Sequence, residues 1–199
     1  NDSVLSSWNT LVEMDLSENQ LSGSLPTSLF AHATLQRINL HDNRLTGTIP
    51  SLQTPNIVLN SIRLSSNELE GTIPPSISQL LAIQNLEVNN NILTGTVPDT
   101  LSVMSNLTEL RLGDNDYAPH SFPKGLLRLS NLQKLSLSRS SLTGSIPDSV
   151  GFLSQLQSLD LSENSLRGSL PETLGYLSLL RHLSLRNNLL TGSLPDSTK

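Results

Sequence analysis

The sequence predicts an α/β solenoid: a curved rod of stacked coils, each with one short strand on one side and a short helical turn on the other. Three observations predict it. The 199 residues repeat at a fixed period of 24, in eight units. Within a unit, asparagine, glycine and proline hold fixed places. Apolar and polar residues alternate ahead of each asparagine, over a stretch long enough only for a brief strand. A fixed period of this length marks an architecture in which no unit buries its own apolar face, so that stacking supplies the core.

The units begin at Leu11, Leu35, Leu59, Ile83, Leu107, Leu132, Leu156 and Leu180, spaced by 24 except for one spacing of 25. The strand comes first: in Ile62-Arg63-Leu64 and its equivalents, apolar residues flank a polar one, the pattern of a strand with one buried face. Asparagine takes the ninth place in seven units, as Asn19, Asn43, Asn67, Asn91, Asn115, Asn164 and Asn188, with Ser140 in the sixth. There the chain leaves the sheet and its backbone groups lose their ladder partners. An amide carries both donor and acceptor, so a buried asparagine satisfies them, and stacked copies form a structural ladder. Glycine follows four residues later, from Gly23 to Gly192 in seven units, and a proline three after that, from Pro26 to Pro195. Glycine supplies a bend and proline fixes φ where no sheet donor is wanted. The chain then returns with apolar residues three apart, as in Val150 and Leu153 or Leu174 and Leu177, the spacing of a short helical or 3₁₀ turn facing inward. Eight strands about 4.8 Å apart give a rod roughly 35 to 40 Å long.

Composition narrows the function. Only six residues are aromatic, so the interior is built mostly from leucine. A net charge of −5 and the lack of a basic stripe argue against a nucleic-acid surface. The absence of cysteine excludes a disulfide framework, a thiolate metal site and a thiol nucleophile, and leaves the compartment open. No apolar run approaches the ~20 residues that span a bilayer, and no charged segment followed by an apolar one marks a signal peptide. The chain begins at Asn1 rather than methionine, so it is expected to be a piece of something longer, with any signal or anchor outside it.

LNSIRLSSNELEGTIP (59–74) and LQSLDLSENSLRGSLP (156–171) both fit the phrase LxxLxLxxNxLxGxIP. In this the chain closely resembles the plant-type leucine-rich repeats found in the extracellular parts of receptor-like kinases, receptor-like proteins and polygalacturonase-inhibiting proteins. The resemblance covers residues 11–199. It implies a right-handed superhelix with a parallel sheet on the concave face, 3₁₀ or helical turns and loops on the convex side, and a second short sheet near the LxGxIP segment. It also implies a module that binds a protein or peptide ligand, the recognition segment of a receptor-like protein or kinase in cell-surface signalling. A co-receptor would be a further partner, and any kinase domain would lie outside this chain. Such a module sits at the extracellular face of the plasma membrane or is secreted, makes no membrane contact itself and needs no cofactor. A soluble scaffold or inhibitor that binds another protein stays open beside it, as does a cytoplasmic location. Flanking sequence separates them: a C-terminal apolar span marks a receptor, a stop after a cap marks a soluble binder.

The departures are specific. Family ectodomains carry paired cysteines in terminal caps, and this chain has none. Residues 1–10 are an N-terminal flank or partial cap in which Trp8 would cover the first unit's leucines, the alternative being a disordered end. The eighth unit stops at Lys199 before its return segment, leaving an apolar face open unless more chain follows. His32 stands where a leucine is expected, and SLQTPNIV (51–58) replaces the usual return. DYAPHSFP (116–123) replaces the glycine by Pro119 and inserts a residue. Tyr117, His120 and Phe122 there could form a binding knob. Tyr117 holds a core leucine position and Phe122 the displaced isoleucine position, which favours repacking of the interior.

Chemistry is expected to be absent and binding present. His32, His41, His120 and His182 fall in separate units without metal-ligand spacing, and no serine elbow, phosphate loop or kinase signature occurs. Glu13, Asp15 and Glu18, or Asp160 and Glu163, stand near one another but face water, without the enclosed pocket that acid–base work needs. The polar places around the strands hold nine acidic and seven basic residues, with acids at the first unit and Arg181, His182 and Arg186 at the last. A surface with both signs can read an extended partner along its length, although any water-facing strand must be polar. The candidate partner-binding strip is Arg63, Glu87, Arg111, Ser136 and Asp160, at the middle of successive strands. Of two glycosylation sequons, at Asn1 and Asn106, Asn106 is the better placed, in a loop just before a strand; it would be modified only in a secretory compartment.

Overall fold

Alternation within each unit turns every second side chain inward, and the 24-residue period lays the strands side by side. The computed structural model describes residues 2–5 and 7–194; the sequon at Asn1, the proline of the eighth unit, Pro195, and the chain end at Lys199 lie outside the described residues. Eight strands, Glu13–Asp15, Arg37–Asn39, Ser61–Arg63, Asn85–Glu87, Glu109–Arg111, Lys134–Ser136, Ser158–Asp160 and His182–Ser184, form one parallel sheet in chain order. Their middle residues stack inward in register, Ile62 against Leu86 and Leu86 against Leu110. The extra residue of the fifth unit leaves this register intact, with Leu110 still opposite Leu135.

The convex side carries 3₁₀ turns at Pro75–Gln79, Asp99–Val103, Lys124–Arg128, Asp148–Phe152 and Glu172–Tyr176. Each follows or includes a proline, whose fixed φ sets the entry; Pro147, at φ −74°, is typical. Their inward residues, such as Val150 and Leu153, are fully buried. The first two units solve the return differently. The first forms a short α-helix, Thr27–Phe30, capped at Ala31 and followed by His32. His32 is buried; its Nδ1 accepts the Leu35 N–H at 3.2 Å, which leaves Nε2 to donate to the Leu5 carbonyl at 3.2 Å. A histidine in a leucine's place thus ties the N-terminal turn, Asp2–Leu5, to the rod. In the second unit Asn56 replaces the helical turn: it donates to the Phe30 carbonyl and accepts the N–H groups of Val58 and Leu59.

The second set of strands follows the asparagines, in parallel sheets of two, two and four strands. Ser22–Ser24 pairs with Arg44–Thr46, Glu70–Gly71 with Ile92–Leu93, and His120–Ser121 opens the four-stranded group. The break before His120 falls at the inserted residue of the fifth unit. Tyr117 and Phe122 there are both buried, so the aromatic side chains fill the interior and do not form a knob.

One leucine-rich core runs from Leu5 to Leu177. It opens at both ends of the rod: Val12 and Leu16 in the first coil and Leu183 and Leu189 in the last are 42–50% exposed. Trp8 is itself 47% exposed beside the first coil, and Leu5 is the flanking side chain that enters the core.

Candidate functional site

The strip's flatness starts beneath it, in the asparagine ladder. Asn67 donates to the carbonyls of Leu40 (2.9 Å) and Leu64 (3.1 Å) and accepts the Leu45 N–H at 3.0 Å. Asn91 does the same one coil on, to Leu64 and Val88, accepting from Leu69. Asn43, Asn115, Asn164 and Asn188 repeat the pattern. Each amide therefore satisfies backbone groups of two coils and fixes their spacing. Asn19 has only its own coil to bond and is exposed. Ser140, too short to reach back, donates to Ser138 within its own coil.

Just before the asparagine, every unit places its eighth residue at positive φ: Glu18, Asp42, Ser66, Asn90, Asp114, Arg139, Glu163 and Asn187 lie between 44° and 57°. This left-handed residue turns the chain three places past the end of the strand. The sequence signal for it is Asp, Asn or Ser in five units, residues that tolerate such a backbone, with Glu18, Arg139 and Glu163 in the other three.

On this base the five strip residues meet in register, each as the last residue of its strand and not, as expected, at its middle, a place taken by the inward leucine or isoleucine. Arg63 stands opposite Glu87, Glu87 opposite Arg111, Arg111 opposite Ser136 and Ser136 opposite Asp160. Ion pairs cross the strands around them. Arg63 Nε bonds Glu87 at 3.0 Å. Glu109 holds Arg111 on one oxygen and Lys134 on the other, at 2.6 and 3.1 Å. Glu163 likewise holds Arg139 and Arg186, at 2.6 and 2.5 Å. Burial pushes the Glu109 carboxyl up, but its hydrogen bonds to Lys134 and Arg111 outweigh this and hold it below the usual carboxylate range. The Arg139 hydrogen bond does the same for Glu163 and the Arg37 hydrogen bond for Glu13. At the first unit Asp15 is lowered mainly by the Ser17 hydroxyl and backbone.

Glu87 departs from the sequence expectation that the strip faces water. It is only 5% exposed, with Arg63 of the preceding strand and Asn85 of its own both bonded to one of its oxygens. A cavity of 310 Å³ opens beside it, lined by Ser17, Glu18, Asn39, His41, Arg63, Ser65, Glu87, Asn89 and Arg111. This is a groove crossing five coils on the concave side, and every lining residue is polar. The larger hollow, 600 Å³, lies at the unstacked face of the first coil, where Trp8, Leu11, Val12, Met14 and Leu16 are joined by Ser7, Thr10, Glu13 and Asp15.

The remaining candidates stay apart. His41 bonds Ser65, His120 donates to Ala118, and His182 lies at the last strand. No group of three or more His, Asp or Glu among the described residues is placed to hold a metal, and no helix among them is long and apolar enough to cross a membrane. Asn106 is exposed at the bend before the fifth strand, where its amide donates to the Leu81 carbonyl at 2.9 Å.

Family models described as leucine rich repeat match residues 122–190 and residues 10–31, 34–53 and 58–80. Nothing among curated protein sequences matches the chain. Among solved structures, the Arabidopsis receptor kinase HAESA ectodomain, in complex with an extended IDA peptide hormone, is 34% identical with a TM-score of 0.91, covering 98% of this chain and 33% of its own. HAESA with IDA and the co-receptor SERK1 gives 31% identity and a TM-score of 0.75, covering 94% and 36%. The plant peptide hormone receptor RGFR1, in complex with RGF2, gives 33% and 0.76, covering 92% and 33%. The chain spans about a third of the length of these structures.

Proposed function

Because this chain belongs to the leucine-rich repeat family, we propose that it is a ligand-recognition segment that binds an extended peptide on its concave face, within a receptor-like protein acting at the cell surface. The carrying observation is the central strip: Arg63, Glu87, Arg111, Ser136 and Asp160 stand in unbroken register across five strands, bordered by a wholly polar groove. An extended chain laid across the coils meets one such side chain per coil, and alternating charge gives it register and direction. Three solved ectodomains similar to this chain hold peptide hormones, and one holds a co-receptor as well, which supports a peptide ligand and a second protein partner here. On this reading the segment is extracellular, and Asn106 carries a glycan.

The test uses linear peptides selected from a displayed random library on the folded chain. A variant with Arg63, Arg111 and Asp160 changed to alanine, Glu87 to glutamine and Ser136 to alanine should bind them at least about a hundredfold more weakly, since lost charge pairs at an interface cost about 2–5 kcal/mol each. Its thermal unfolding should stay that of a folded rod. Undiminished binding by this variant would place the contact at the rod's edges or loops and end the proposal.

A further inference from the structure

Four glutamates on the concave face, Glu13, Glu87, Glu109 and Glu163, meet arginine from a neighbouring coil or their own, and the last two have both oxygens paired. Glu109 uses one oxygen for Arg111 and the other for Lys134, and Glu163 uses one for Arg139 and the other for Arg186. Glu87 uses only one. Arg63 and Asn85 both bond its Oε1, at 3.0 and 3.1 Å, and its Oε2 meets no donor among the described residues. The side chain is 7% exposed, so solvent reaches this carboxylate far less than it reaches Glu13, at 54%. Oε2 is not sealed from the groove, and a donor that meets it there is largely shielded from water.

Its neighbours share the deficit. Asn85 and Asn89 flank Glu87 at alternate positions, Asn85 within the strand and Asn89 two residues past its end. The Oδ1 atoms of both asparagines are buried and accept no hydrogen bond. The segment 85–89 therefore carries three oxygens without a donor from the described residues, and two of the three residues, Glu87 and Asn89, line the 310 Å³ groove. A group that only donates fits such a line: guanidinium and ammonium carry several N–H donors and no acceptor. The groove's own charges cancel, with Glu18 and Glu87 against Arg63 and Arg111, and the whole chain carries −5, so an incoming cation meets no net opposition.

We propose that the fourth coil is a cation-reading position: the bound peptide places one Lys or Arg side chain, or its α-amino group, on Glu87 Oε2 between Asn85 and Asn89. The partner then completes at Glu87 the two-cation arrangement that Glu109 and Glu163 already have. This rests on the concave-face peptide reading and adds the identity of one ligand residue.

Peptides selected from the random library on the unaltered chain should share a basic residue at one fixed place. Arginine there identifies a guanidinium, lysine an ammonium, and a free N-terminus the α-amino group. Glu87→Gln should bind the selected peptides about thirtyfold or more weakly, the loss expected for a buried charge-assisted contact. Replacing the basic residue by its neutral counterpart should weaken binding to the unaltered chain equally and to Glu87→Gln hardly at all. Asn89→Ala, which leaves the Arg63–Glu87 pair in place, should also weaken binding and serves should Glu87→Gln fold poorly. Peptides that need the central strip but share no basic residue, or that bind Glu87→Gln as well as the original, overturn the inference and leave the concave-face reading standing. Peptides indifferent to the whole strip overturn both.

Discussion

Asn91 and Asn19 occupy the same place in their units and do different work. Asn91 is buried and bonds backbone groups of two coils, whereas Asn19 is exposed and bonds only its own. Removing the amide at Asn91 strands the buried Leu69 N–H, at a cost of about 1–3 kcal/mol, while the Leu64 and Val88 carbonyls keep a donor from Asn67 and Asn115. Asn91→Ala should therefore lower unfolding free energy by about 1–3 kcal/mol in urea titrations, and Asn19→Ala by less than about 1 kcal/mol. Glu109 makes the second residue-scale prediction. Its folded carboxyl lies below the ordinary value of 4.5, so its contribution is present above that pH and is lost as pH falls through the lowered value. Stability of the unaltered chain should fall more steeply between about pH 5 and pH 3 than that of Glu109→Gln, measured as urea midpoints. The asparagine places could be read from the sequence because period and amide chemistry coincide there. The burial of Glu87 could not, because the same column holds exposed Asp15 and Arg63, and what surrounds Glu87 comes from the side chains of neighbouring coils.

At the scale of the element, the strand, bend and return were legible because each is set by local chemistry at a fixed offset. Gly71 and Gly144 both sit at positive φ, 74° and 77°, as the bend requires. They differ in what lies opposite. A Cβ on Gly71 would come within 2.9 Å of the Thr48 methyl, while one on Gly144 meets nothing within 4 Å. Gly144→Ala should cost only the backbone strain, about 1–2 kcal/mol. Gly71→Ala should cost about 1 kcal/mol more, because the second-sheet side of the neighbouring coil must give way. Chemical unfolding of the two variants side by side separates these terms. The returns of the first two units were not legible in the same way. His32 and Asn56 replace regular packing by hydrogen bonds to other coils, and such bonds join residues 24 or more apart in sequence.

For the whole molecule, stability and exposure follow position along the rod. Interior coils such as the one carrying Leu110 are closed on both sides, whereas Leu183 of the last strand remains 45% exposed, so the ends are the least protected parts of the described chain. Asn106 bears on where the rod resides. It is exposed and followed by Leu107 and Thr108, so expression in a secretory host should add a glycan's mass that Asn106→Gln removes, measured on the intact protein. An unmodified Asn106 in that host would withdraw this part of the extracellular reading.

By itself the sequence determined the coil: its period, its strand, its asparagine ladder and the order of polar side chains along the concave face. These follow from interactions within one unit or between identical places in adjacent units, which a repeat displays eight times over. Only the tertiary structure decided which of those polar side chains satisfy one another. Arg111 and Lys134 converge on Glu109, and the residues beside Glu87 leave it half filled, because pairing depends on where long side chains from different coils end in space.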